Sequence, residues 1–346
     1  MRGIAALFVV AYHFSFYMTP FRDPLGFAAV DLFFLLSGAV IEASYGAKLR
    51  AGMTLGAFFR IRTIRLYPLY ILGPVIMLVA IAVAPCHILF IDPAIHFTLP
   101  HPLTLFAASV FFVATWNIGT MFPLDPPAWS LFWELAANML YVALTPRLSR
   151  RVLLGIVFTS AAVMIGVAVF GDIHNDLAGA PRVGFSFFLG VLMFREIGAW
   201  RAPAWASWVA LGIVCAVLAS PTDGTATYLC AVLVAFPAAV WLALRAQPPV
   251  WTVRASNVLG DLSYPLYTIH VPFAALVLAI TGPIGGAPWS GWAFLAGLAA
   301  VSCALDRWFD RPVRRFLSAL RIKPVSHSIG VNGALNADGA STRPIE

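Results

Sequence analysis

The chain has 346 residues, of which 61% are hydrophobic and only 11% charged, with a net charge of +7 and a mean hydropathy of +0.87. Soluble globular domains carry about a quarter of their residues as charges, so this composition excludes them and indicates a polytopic membrane protein. The positive excess is spread over short basic segments between apolar runs, which anchors a membrane protein and does not imply nucleic-acid binding.

The first apolar run, 3–17, is preceded by Arg2 and contains His13. Eleven helical steps separate the two, a rise of about 16 Å, or half a hydrocarbon core of about 30 Å. His13 is therefore expected near the bilayer midplane, where an ionisable group costs on the order of 2.5 to 3.5 kcal/mol and is generally functional. No small-residue cleavage site follows this run, so no cleavable signal peptide is expected.

The second run, 27–45, places Asp31, Leu35, Gly38 and Glu42 at helical spacing, with Ser37 beside the glycine. Gly38 and Ser37 suit close helix packing, whereas a carboxylate at Asp31 must be paired, hydrated or protonated. Before the third run, 64–84, stand Arg60, Arg62 and Arg65, three guanidinium groups within six residues. Arg62 and Arg65 share one face, and their planar forks match phosphate oxygens. The same residues also suit plain anchoring at the membrane surface.

Run 103–116 is 14 residues long and hemmed by Pro100, Pro102 and the Pro123, Pro126, Pro127 cluster, so a re-entrant or interfacial segment is expected there. The fourth spanning run, 128–144, carries Ser130, Glu134 and Asn138 every four residues, with Tyr141 beyond: a polar stripe that must face the bundle interior or a wet cavity. Runs 152–170, 183–194, 205–219 and 227–244 are apolar and carry no motif. The ninth, 259–281, sets Ser263, Tyr267 and His270 on one face, and Pro265 is expected to free backbone groups there. The tenth is 289–305. Cys86, Cys215, Cys230 and Cys303 lie far apart without metal-ligand spacing, so buried thiols and no metal site are expected.

Lipid admits only helices or closed barrels, and no stretch alternates as a barrel strand would. The expected fold class is all-α: a polytopic transmembrane helical bundle of about ten spans plus the one short segment. If that segment does not cross, the basic loops at 48–65, 147–151, 195–201 and 245–254 and the tail arginines fall on one side, leaving only Arg22 and Arg182 opposite. Both termini are then cytoplasmic. The membrane domain is expected over 1–318 and a polar, disordered cytoplasmic tail over 319–346.

In this order the motifs resemble the membrane-bound acyltransferase 3 family, whose members O-acylate bacterial glycans and some small molecules. The resemblance runs from Arg2 to about Pro312. It rests on Arg2 with His13, on Phe33-Phe34-Leu35-Leu36-Ser37-Gly38, on Arg62 and Arg65 before Leu66-Tyr67-Pro68, on Trp129-Ser130-Leu131 with Glu134, on Ser263-Tyr264-Pro265-Leu266-Tyr267 with His270, and on Asp310-Arg311-Pro312. In the last of these, aspartate replaces the commoner glutamate and arginine a lysine. Family members usually carry a few residues before the first arginine, which here follows Met1 directly; either the start is late or the first helix is short. Nothing after the last run suits the extracytoplasmic hydrolase-like domain of some members, so a stand-alone transferase is expected.

The resemblance implies a bacterial inner-membrane enzyme that moves an acyl group, acetyl above all, from cytoplasmic acyl-coenzyme A to a glycan or lipid-linked glycan hydroxyl. The donor is a co-substrate, no tightly bound cofactor is implied, and the bilayer is the other partner. Arg2, Arg62 and Arg65 would dock the donor polyanion. His13 would serve as general base or transient acyl carrier, its ring oriented by Glu134 or Asp31. Ser37, Trp129, Ser130, Asn138, Tyr264, Tyr267 and His270 would line the channel or acceptor site. Three alternatives stay open: acylation of a small molecule such as a macrolide, a proton-coupled secondary transporter, for which internal inverted repeats would be expected and none is visible, and a non-catalytic scaffold, which lacks an output domain. Oligomeric state is open.

Overall fold

The computed structural model describes residues 1–14, 25–84, 102–115, 120–220, 224–282 and 289–320. Among these residues the fold is helical throughout, and no strand forms. The helices are α1 (Arg2–His13), α2 (Ala29–Arg50), α3 (Leu55–Tyr70), α4 (Leu72–Val83), α5 (Pro102–Val110), α6 (Ala128–Leu144) and α7 (Arg150–Phe170). They continue as α8 (Gly179–Arg195), α9 (Ala206–Leu218), α10 (Thr225–Cys230), α11 (Phe236–Arg245), α12 (Val253–Thr281), α13 (Ser290–Leu305) and α14 (Arg311–Ala319).

Among the described residues each of the ten apolar runs contains helix. Seven helical segments of the described residues are long and apolar enough to cross a bilayer: Gly26–Arg50, Leu55–Val83, Arg150–Phe170, Asp176–Arg195, Thr225–Arg245, Val250–Thr281 and Ser290–Ala319. The other three runs form α1, α6 and α9, of 12, 17 and 13 residues. Among the described residues run 103–116 holds the nine-residue α5, a rise of about 14 Å. The polar stretch 321–346, most of the expected tail, lies outside the described residues.

Several boundaries differ from the sequence expectation for physical reasons. The third run is two helices meeting at Ile71, because Pro74 has no N–H to offer the carbonyl four residues back. By contrast α12 runs unbroken for 29 residues through Pro265 and Pro272. α13 does not end the ordered chain; a π-helical turn, Asp306–Asp310, leads into α14. The thiols are not buried as expected: Cys230 and Cys303 are exposed and Cys215 partly so, while Cys86 is outside the described residues. An apolar position in lipid has no need to turn inward, since the surroundings are as apolar as the core.

The central pair is α2 and α8, packed lengthwise and in parallel. A Cβ on Gly38 would stand 1.9 Å from the carbonyl oxygen of Phe187, and one on Gly190 would stand 2.1 Å from that of Leu35. Only glycine permits backbones so close. Gly3 does the same for α1 against α12, where a Cβ would fall 2.3 Å from the Leu259 oxygen. That crossing carries His13 alongside His270.

Candidate active site

At the basic end of the bundle, α2, α3, the start of α12 and the turn before α14 enclose a cavity of about 330 Å³. Thr54 caps α3 by accepting from the Ala57 N–H, which sets Arg62 and Arg65 one turn apart on the inner side. Arg2, Arg62, Arg65 and Arg314 line the cavity, together with Asp261, Asp306 and Asp310. The aspartates serve the tail: Arg314 meets Asp310 at 2.6 Å, and Arg311 reaches Asp261 and Asp306 at 2.7 Å each. Among the described residues neither Arg2 nor Arg65 has an ion-pair partner, and the Nε groups of Arg2, Arg62 and Arg314 are buried without a hydrogen bond. The cavity therefore presents donors and positive charge that an anionic ligand would satisfy.

A narrow second cavity, a passage between α1, α2, α6 and α12, adjoins this one and shares Arg2, Ser263 and Tyr264 with it. Its volume is about 30 Å³, room for about one water molecule. Ser130, Glu134, Tyr267, Val30, Phe33, Phe34 and Leu131 complete its wall. The polar stripe of α6 faces inward as its spacing requires. Glu134 accepts from Arg62 at 2.8 Å and from the Ser37 hydroxyl at 2.6 Å, and Ser130 lies 2.5 Å from the Tyr267 hydroxyl. The Tyr264 hydroxyl donates to the Leu66 carbonyl, and Asn138 is wholly buried with neither amide atom bonded among the described residues.

One turn beyond Tyr267 on α12 is His270, wholly buried. Its Nε2 lies 3.3 Å from Nδ1 of His13, and its Nδ1 lies 2.7 Å from the Tyr267 carbonyl. Nδ1 of His13 is also 2.9 Å from the Val9 carbonyl. His13 is the last residue of α1 and is exposed there, instead of enclosed within a longer first helix.

Among the described residues His13 meets His270, and the two candidate carboxylates have other partners. Glu134 is committed to Arg62 and Ser37. Asp31 accepts from Arg182 at 2.8 Å, with the Tyr228 hydroxyl 3.3 Å away. That arginine is fully buried, with its guanidinium carbon 5.1 to 5.8 Å from the ring centroids of Phe27, Trp129 and Tyr228. Trp129 thus walls the Asp31–Arg182 pair and is not itself in the passage lining.

Arg182, expected in an outer loop, occupies the first turn of α8. A signal existed: Asp31 and Arg182 are the third and fourth residues of two helices that both run toward a basic end. Glu42 meets Arg50 at 2.7 Å, Arg195 at 3.1 Å and Tyr141 at 2.5 Å. Asp306, Asp310 and Arg314, which follow the tenth apolar run, form one wall of the cavity.

The acyltransferase 3 model, described as an acyltransferase domain, matches residues 1–306. The chain is 38% identical over 181 residues to Protein 2 in picA locus of Rhizobium radiobacter, covering 49% of this chain and 91% of that protein. It is 29% identical over 312 residues to the exopolysaccharide production protein ExoZ of Rhizobium meliloti (strain 1021), covering 86% of this chain and 92% of that one. No solved structure matches.

Proposed function

The chain belongs to the acyltransferase 3 family, and from that premise we propose that it moves an acyl group, acetyl by preference, from cytoplasmic acyl-coenzyme A to a hydroxyl of an exported glycan. It is an acyltransferase, and its helices make it a multi-pass membrane protein. The observation that carries the reading is the line of polar groups from the arginine cavity, through the passage at Glu134, Ser130 and Tyr267, toward the two histidines. A relative named for exopolysaccharide production, aligned over most of both chains, favours a glycan acceptor.

In this reading ten spans place both termini and the arginine cavity at the cytoplasmic face, in keeping with the positive-inside bias. Arg2 and Arg65 hold the donor's phosphates, with Arg62 steadied by Glu134. The passage widens to admit the acyl-pantetheine arm, and its apolar walls keep water from the thioester. His13 takes the proton of the acceptor hydroxyl as its oxygen attacks the thioester carbonyl. The new C–O bond forms, the C–S bond breaks, and the departing thiolate receives the proton from His13.

Full-length protein in lipid vesicles, given labelled acetyl-coenzyme A and an exopolysaccharide fragment, is expected to produce alkali-labile label on the glycan. His13→Ala is expected to abolish it while insertion is unchanged. Solute uptake without ester formation would instead favour the transporter, and full activity in His13→Ala would remove the base assignment.

A further inference from the structure

Two backbone carbonyls fix where the protons sit on the histidine pair. A carbonyl oxygen only accepts, so the ring nitrogen against it must carry hydrogen. The Tyr267 oxygen, 2.7 Å away, places a hydrogen on Nδ1 of His270. The Val9 oxygen, 2.9 Å away, places one on Nδ1 of His13. A neutral imidazole has a single N–H, so each ring keeps its lone pair on Nε2. The lone pair of His270 then faces Nδ1–H of His13 across 3.3 Å, and that N–H is shared between His270 and Val9. A second hydrogen on His270 would set two N–H groups face to face.

We infer that His270 is the positioning residue of the transfer reaction: it holds His13 in the tautomer whose Nε2 is the base. This rests on the proposed role of His13 and adds the means by which one nitrogen is selected. In serine hydrolases a carboxylate on Nδ1–H does this work, both orienting the ring and meeting the imidazolium charge. Here, among the described residues, the neutral imidazole of His270 holds that position. It is wholly buried beside Leu266 and Ile269, where no water competes for His13 Nδ1–H from that side. When Nε2 of His13 takes the hydroxyl proton, the positive charge is met through Nδ1–H by His270, whose own Nδ1–H leans on the Tyr267 carbonyl. The proton on Nε2 passes to the leaving thiolate, and the pair returns to its starting state.

Two measurements on the full-length protein in lipid nanodiscs test this. The first is kinetic. His270→Phe fills the site without an acceptor and is expected to lower kcat by about 10²-fold or more, with the KM for acetyl-coenzyme A unchanged. His270→Gln can offer an amide oxygen where Nε2 stood and is expected to recover kcat to within about tenfold of the parent. Unchanged kcat in His270→Phe, or equal loss in the Phe and Gln variants, would overturn the inference. The second needs no turnover and no stable variant of His270: in the ¹⁵N-histidine spectrum, with the His13 signal assigned by its absence from His13→Gln, Nδ1 is expected to be the protonated nitrogen. A hydrogen on Nε2 would overturn the inference. An active His13→Ala would strike at the proposed function itself, while an inactive His13→Ala beside an unaffected His270→Phe would strike at the positioning role alone.

Discussion

An arginine inside a bilayer persists only where its charge is met, and Arg182 and Arg62 meet that demand in different ways. Arg182 is enclosed by Asp31 and three aromatic rings and takes no part in the cavity lining. Removing one partner of such a pair leaves the other charge uncompensated, a loss of about 3 to 5 kcal/mol, while replacing both with apolar groups is often neutral. Arg182→Met is therefore expected to lower the unfolding midpoint sharply, and Arg182→Met with Asp31→Leu to restore it. If the double variant also keeps its kcat, Asp31 has no part in the chemistry, contrary to the sequence-based expectation. Arg62, by contrast, pairs with Glu134 yet still faces the cavity, and Arg65 faces it without a carboxylate of its own among the described residues. Arg65→Ala is expected to raise the KM for acetyl-coenzyme A about tenfold or more with little change in kcat, the loss of one charge-assisted contact. An unchanged KM would place phosphate binding elsewhere.

At the scale of elements, the bundle depends on how closely α2 and α8 approach. The obstacle to a side chain at Gly38 is backbone, which cannot swing aside as a flexible side chain would. Gly38→Val is expected to separate the helices and cost at least about 1 to 3 kcal/mol, seen as a lower unfolding midpoint in detergent; an unaltered midpoint would mean that α2 has room to shift. The same separation would misalign Ser37 with Glu134. What was legible in sequence divides along this line. The stripe Ser130, Glu134, Asn138 was readable because its members are one helical turn apart, and Ser263 with Tyr267 for the same reason. Pairings across 151 residues, such as Asp31 with Arg182, leave no local periodicity, so the sequence keeps Asp31 as one of two candidates for His13 whereas its partner is Arg182. Boundaries were also hidden. Nothing in the first apolar run marks His13 as the last residue of α1, and the backbone groups that Pro265 is expected to free do not interrupt α12.

For the molecule as a whole, charge is sorted by depth. Arginines gather at one end, where Arg2, Arg65 and Arg314 surround a cavity large enough for part of a nucleotide. The adjoining passage is lined by tyrosine and serine hydroxyls, and His270, one turn beyond Tyr267, meets His13. Such grading suits a donor that is anionic at one end and thioester at the other. A proton-coupled transporter would instead need carboxylates reachable in turn from both faces. In the described structure Asp31 is locked to Arg182, and Glu134 to Arg62 and Ser37.

The central claim is that one route connects the arginine cavity to His13. The most direct measurement uses vesicles in which the full-length protein has been oriented by its tail, with glycan acceptor present on both faces and labelled acetyl-coenzyme A supplied to one face at a time. Ester formation is expected when the donor is on the side of Arg2 and Arg65, and to disappear in His13→Ala. Ester formation only from the opposite side, or equally from both, would contradict the account.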